Sequence, residues 1–348
     1  MQTIKEETIL ERDRPTDSPY SYKIVKIIVQ FFEKHGLFRF TIKIPHFLIR
    51  FIALLAGVIL FTIGPWKKLV SKNLTIMFRG KLKEKYGKKL ARKIKKSMAF
   101  MNAKNMARTF VEDLFYMPAL TVYKDFYKNK VIFDGPNKIE AMKRVEDAWK
   151  LGKGVVLVSI HSAAFIIMSC SLGYYYRAGK FPIKPVQTVE EGSMDAYIDY
   201  MRGVIGVALL KQGEKVDRKS HLYDVVKNKG ILMLAIDLGH KNYPKIPLFG
   251  VPASTPIGPA QLNYLFDCPV LPCYNIPHPK KAQWIVYAGE PIKFKKFDKS
   301  SGLSEREIIE ENSKIVNKAL EKLLWKSYPY WMYLMLMDKL KKMDLKKK

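Results

Sequence analysis

The chain has 348 residues, of which 48% are hydrophobic. That is enough to bury one large core or two domains, and it excludes a disordered polymer. A formal net charge of +29 implies an anionic partner, whether nucleic acid, an anionic bilayer or an acidic protein. Cys170, Cys268 and Cys273 fit neither a disulfide framework nor a CxxC metal spacing, a pattern expected of reduced thiols facing the cytosol.

Residues 1–20 read as a polar, disordered leader without a secretory signal. From Ile24 to Phe40 apolar and basic residues alternate irregularly, as in a helix near a membrane surface. The uncharged run Phe51 to Ile63 follows. A spanning helix needs about 20 residues. This run reaches that length only when counted from His46 to Trp66, with Arg50 reaching toward water at one end. Basic flanks and Trp66 at an edge favour membrane insertion or shallow embedding over a soluble core helix. The pattern then predicts helix over Lys67 to Arg108. Between Lys81 and Lys96 that stretch is densely basic, with Glu84 its only acid, and Leu82, Leu90, Ile94, Met98 and Met101 supply a one-sided apolar stripe. Beside an apolar anchor such a face suits anionic headgroups, at about 1 kcal/mol per basic residue near the surface.

Beyond about Val131 strands alternate with helices. A helix over Asn137–Leu151 precedes an apolar strand that starts at Gly154 and ends on His161, with helix Ala163–Tyr176 behind it. Strand Lys184–Val189, helix Ser193–Val204, strand Val207–Leu210, helix Ser220–Asn228 and strand Ile231–Ile236 come next. After Asp237 the stretch Gly239 to Pro259 reads as a Gly/Pro-rich loop, followed by a helix to Phe266. Strands Val270–Asn275 and Trp284–Ala288 and a charged helix from Ser304 to about Trp325 complete the pattern. The expected class is α/β, a mostly parallel central sheet flanked by helices, with an N-terminal helical membrane-anchoring segment. The expected division is a leader to residue 20, anchor and basic helices over 21–110, an α/β domain over 111–335, and a basic tail over 336–348.

His161 stands at the carboxyl end of a strand, where open α/β sheets build their sites, and its imidazole suits proton transfer near neutral pH. Asp237 ends a strand in the same way. These residues carry a resemblance. The apolar anchor, the strand–His–helix at His161, the Arg202-x-x-x-Gly206 pair, Asp237 and the loop Phe249-Gly250-x-x-Ala253-x-Thr255 with Gly258 occur in the order found in one superfamily. Over roughly residues 45–335 the chain resembles the lysophospholipid acyltransferase superfamily, in its lipid A biosynthesis (lauroyl/myristoyl) branch.

The resemblance implies transfer of an acyl chain from an acyl carrier protein or coenzyme A thioester to a hydroxyl or amine of a lipid or small molecule. The thioester is a co-substrate, and no further cofactor or metal is implied. The resemblance makes His161 the general base and assigns substrate contacts to Arg202, Phe249, Gly250 and Thr255. It also places the protein on the cytoplasmic face of the inner membrane, anchored through residues 46–66, with an anionic membrane lipid as partner.

Two departures stand out. The family motif places Asp or Glu shortly after the histidine, where this chain has Ile166, and no acid occurs from Ser162 to Tyr176. Loss of such an acid can cost on the order of 10⁴ in rate. Asp237, then Glu190 and Glu191, are the substitutes at strand ends on the same edge. After the aromatic Trp motif, Trp331 to Asp338 replaces a His/Arg-rich stretch. Position 166 therefore leaves an alternative: a catalytically inactive member of the same fold that binds lipid or acyl carrier protein.

Other chemistries find less support. Ser162 adjoins His161, but neighbouring residues at a helix start point apart, against a Ser–His nucleophile pair. Asp237 and His240 with His161 make a weak zinc pattern. No phosphate-binding glycine loop or nucleic-acid motif occurs, and the basic residues cluster beside the apolar anchor, against a nucleic-acid partner.

Overall fold

A computed structural model describes residues 31, 34–37, 40, 43–63, 66–78, 81–122, 131–134, 141–162, 166–177, 179, 185–190, 208–212, 218–237, 242–281, 283–297, 302–331 and 334. The leader, the expected helix Ser193–Val204 and the basic tail lie outside them.

In chain order the helices are α1 (His46–Ile63), α2 (Trp66–Met77), α3 (Lys81–Val122), α4 (Ala141–Trp149), α5 (Ile166–Arg177), α6 (Arg218–Lys227), α7 (Gly258–Phe266) and α8 (Glu305–Ser327). The strands are β1 (Val131–Asp134), β2 (Val155–Ser159), β3 (Val186–Glu190), β4 (Ala208–Gln212), β5 (Ile231–Ala235), β6 (Lys245–Leu248), β7 (Val251–Ser254), β8 (Val270–Pro277) and β9 (Trp284–Ala288). Seven strands form one sheet in the order β1-β9-β8-β2-β5-β3-β4. Every neighbouring pair is parallel except β8 and β9.

The middle strands are apolar at successive positions because both faces of the sheet are covered. Successive side chains point to opposite faces. Val156 and Val158 of β2 therefore join one buried cluster with Leu232 and Leu234 of β5 and residues of α2, α3, α7 and α8. Val155 and Leu157 join the other, with Ile231, Met233, Ile49 of α1 and residues of α4 and α5.

α1 lies against α3. Ile49, Ala53 and Gly57 recur at the four-residue spacing that keeps one helical face inward, and all three are buried. At Gly57 the helices nearly touch: a Cβ there would sit 2.7 Å from the Lys104 Cα. The other side of α1 carries eight exposed large apolar side chains: Phe47, Leu48, Phe51, Ile52, Leu54, Leu55, Val58 and Ile59. Among the described residues no single helix is long and apolar enough to cross a membrane, and α1 meets α2 at a bend of 81°.

Several expectations are corrected. The basic helix is two helices, broken after Phe78, and the second kinks at Gly87 (φ 73°) and continues to Val122. α3 therefore runs through the expected boundary at residue 110. Arg50 is half-buried, and its guanidinium donates to the carbonyls of Pro279 and Lys280. The stretch read as loop holds an antiparallel hairpin, β6–β7, whose two-residue turn puts Phe249 and Gly250 at φ 53° and 75°. Both values suit the turn that matches strand twist. β1 was not expected. The expected charged helix is α8, opened by a capping box in which Ser304 and Glu307 bond each other's backbone N–H.

Substituting Gly57→Val is expected to force α1 from α3 and to lower stability by about 1–3 kcal/mol, read as a lower thermal midpoint. Cys268 and Cys273 are unpaired and buried, and burial pushes both thiols up to about 12. Neither is expected to react with iodoacetamide in the folded protein, and peptide mapping before and after denaturation checks this.

Candidate active site

The site follows from strand register. β2 and β5 are adjacent and parallel, with Ser159 paired to Ala235. His161 and Asp237 each lie two residues further on, so they face one another across the carboxyl edge of neighbouring strands about 4.8 Å apart. The backbone holds that register beyond the strand ends, because the Ile236 N–H donates to the Ser159 carbonyl at 3.0 Å.

Two contacts join the pair. His161 Nδ1 is 2.7 Å from Asp237 Oδ1, and the His161 backbone N–H donates to Asp237 Oδ2 at 2.9 Å. Trp331 Nε1 donates to the same Oδ2 at 2.8 Å. The Asp237 side chain is 0% exposed and the imidazole 15% exposed. The acid is therefore sealed while the ring keeps an open edge. With Asp237 as an acceptor, the ring proton belongs on Nδ1, which makes Nε2 the basic nitrogen of the imidazole.

The segment after β2 is pinned from two directions. The Ser162 hydroxyl donates to the Asn275 carbonyl of β8 at 3.1 Å, and Ser162 and Trp331 form an antiparallel backbone bridge. The Ser162 hydroxyl is thus committed to the backbone. Trp331 follows a short 3₁₀ turn, Tyr328–Tyr330, at the end of α8. The Asn102 amide of α3 donates to the carbonyls of Tyr328, Pro329 and Trp331, and the Asn102 side-chain oxygen accepts from Trp66 Nε1 of α2. Asn73 of α2 bonds the Leu334 carbonyl. The two N-terminal helices α2 and α3 thereby hold the strand segment that carries Trp331.

The remaining expected residues sit as follows. Ile166 opens α5 and Glu190 ends β3, while Glu191, Arg202, Gly206 and His240 lie outside the described residues. The Phe249 ring is buried edge-on to Trp325 of α8, and its N–H donates to Glu321. The Thr255 hydroxyl donates to the Ala253 carbonyl and accepts from the Asn317 amide of α8. Phe249, Gly250 and Thr255 thus belong to a hairpin fastened onto α8. Among the described residues no three His, Cys, Asp or Glu side chains are placed to hold a metal ion.

Sequence reasoning missed the role of Trp331 as a donor to Asp237. It also missed a cavity of about 370 Å³ bordered by Arg50, Lys104 and Arg108. The only signal for Trp331 was its place in an aromatic run. The cavity had no signal, since its residues are far apart in the chain.

A histidine braced by a buried acid at the carboxyl edge of a parallel sheet can take up and release a proton beside a bound substrate. Over residues 21–335 the chain matches the bacterial lipid A biosynthesis acyltransferases; it belongs to that family and is an acyltransferase. No curated protein matches closely enough to supply a nearer relative.

Removing the indole donor by Trp331→Phe is expected to leave a buried carboxylate oxygen with one partner fewer. The expected loss is about 1–3 kcal/mol, read as a lower urea midpoint at unchanged slope.

Proposed function

We propose that this acyltransferase works at a membrane surface, with His161 as general base and Asp237 as the acid that orients it. An acceptor hydroxyl or amine of a lipid or small molecule gives its proton to His161 Nε2 as its oxygen or nitrogen attacks the thioester carbonyl. The tetrahedral intermediate collapses, the C–S bond breaks, and the imidazolium returns the proton to the departing thiolate. The products are an ester or amide and a free thiol. Asp237 favours the charged ring through its contact with Nδ1. The observation that carries this reading is the 2.7 Å contact of Nδ1 with a carboxylate that water does not reach.

That contact also bears on position 166. An acid absent from the helix after His161 has a counterpart on the adjacent strand, which favours turnover over a binding-only role. Arg202 remains a candidate for substrate contact, and Glu190 and Glu191 remain the alternative acids should Asp237 prove dispensable.

Membrane association is supported by the outer face of α1 together with the basic surface of α3. Eight exposed large apolar side chains on one helix form a patch that water tolerates poorly. Lys83, Lys85, Lys88, Lys89, Arg92 and Lys93 are exposed on the neighbouring helix. Such a pairing suits a helix lying in the headgroup plane of an anionic leaflet, on the cytoplasmic face of the inner membrane, rather than one crossing it. The same positive surface suits an acidic acyl carrier protein, with an acyl-coenzyme A as the other thioester donor of matching chemistry.

Membranes containing the protein are expected to transfer labelled acyl groups from such a thioester. His161→Ala should abolish transfer, and Asp237→Asn should lower kcat by about 10⁴ if the handling of the imidazole resembles that in serine proteases. Ile166→Glu should bring no increase, because Nδ1 already has its acid. A rise in transfer with Ile166→Glu, or full activity in Asp237→Asn, would overturn the assignment of Asp237.

A further inference from the structure

We propose that the cavity between α1, α3 and the turn joining β8 to β9 binds the phosphate monoester headgroup of a membrane lipid, at a site separate from His161. The cavity measures about 370 Å³, within the roughly 300–1,000 Å³ range of small-ligand pockets. Its polar wall is Arg50, Lys104, Asn105, Arg108 and Tyr330.

Charge selects the ligand. Three cations border the space. Among the described residues the carboxylate in ion-pair contact with them is Glu112, whose Oε1 lies 2.6 Å from Arg108 Nε and 4.0 Å from His46 Nε2. Two positive charges are left over, and a phosphate monoester supplies about −1.5 to −2 at neutral pH. Crowding is visible at Arg50, whose pKa is lowered first by burial and then by the charge of Arg108. An anion between them would relieve that repulsion. Both guanidinium groups are already oriented: Arg50 by the carbonyls of Pro279 and Lys280, and Arg108 by Glu112 and the His278 carbonyl at 2.9 Å. Planar forks held in this way suit phosphate oxygens, with Lys104 adding a point charge.

Position selects a lipid over a soluble ester. Leu54 lines the cavity and is also 42% exposed within the apolar outer face of α1. Met101 adds a second apolar wall. A phosphate in the cavity can therefore keep its hydrocarbon along α1. Tyr330, which also lines the cavity, directly precedes Trp331, which donates to Asp237. The bound lipid would thus be linked to the carboxylate that steadies His161 by one step along the chain, Tyr330 to Trp331, and one hydrogen bond. For its bilayer setting the inference rests on the membrane reading above, so its test separates the two.

The test titrates the detergent-solubilised full-length protein with short-chain phosphatidic acid and, separately, with inorganic phosphate. Saturable phosphatidic acid binding should weaken about tenfold in Lys104→Glu, recover in Lys104→Arg, and be unchanged in Lys318→Glu, an exposed charge control on α8. Arg108→Lys, which keeps the charge and loses the fork, should weaken it less than Lys104→Glu. The pocket assignment is overturned if Lys104→Glu binds as Lys318→Glu does. Equal affinity for inorganic phosphate would overturn the lipid assignment in favour of a soluble anion site. His161→Ala should bind as the unaltered protein does, so loss of acyl transfer with retained binding counts against the base and not the pocket. Flotation with phosphatidylglycerol–phosphatidylcholine vesicles, anionic but free of phosphate monoesters, reports membrane association alone, and failure there with retained phosphatidic acid binding counts against the membrane reading.

Discussion

The hydrogen bonds around the Asp237 carboxylate tie the molecule together. A carboxylate taken fully out of water costs several kcal/mol unless its lone pairs are occupied. Here the partners are the His161 ring, the His161 backbone N–H and the Trp331 indole. The first two come from the neighbouring strand and the third from beyond the last long helix. The desolvation of one acid is thus offset only when the sheet edge and the chain after α8 are both in place. The same bonds fix the tautomer and direction of the imidazole, so the packing of the sheet edge and the setting of the ring depend on a single group.

A second consequence of this wiring is that the N-terminal helices are not an appendage to the α/β unit. α3 passes residue 110 without interruption, and Val70, Leu74, Ala99 and Met106 share a buried cluster with β2 and β5. Asn102 bonds three carbonyls in the segment Tyr328–Trp331 while accepting from Trp66. A shift of α2 or α3 would therefore be felt directly at Trp331. The greasy outer face of α1 and the inner face that packs on α3 belong to one helix, so whatever covers the first is linked to the sheet through few intermediaries.

How much of this was readable in the residues depended on the kind of signal. The apolar runs of β2 and β5 announced buried parallel strands, and each ended in one titratable residue, so His161 and Asp237 stood out. Their meeting was legible only through register, which residue patterns do not state. Ile166 pointed the other way, because a motif counted along the chain cannot report an acid arriving from the next strand. The hairpin β6–β7 was hidden by Pro247 and Pro252, which pair across it and usually argue against strand. β1 has four residues, Val131 to Asp134, too few for alternation to emerge. The partners of Arg50, Pro279 and Lys280, gave no sign in the sequence because they lie more than two hundred positions away.

The late position of Trp331 has a bearing on biosynthesis. A chain leaving the ribosome exposes His161 and then Asp237 well before the indole that completes the acid's surroundings. Until that residue has emerged and docked, Asp237 Oδ2 lacks its indole donor. A partly made protein thus carries both side chains without the indole that completes the acid's hydrogen bonds, so the full arrangement forms only near the end of synthesis.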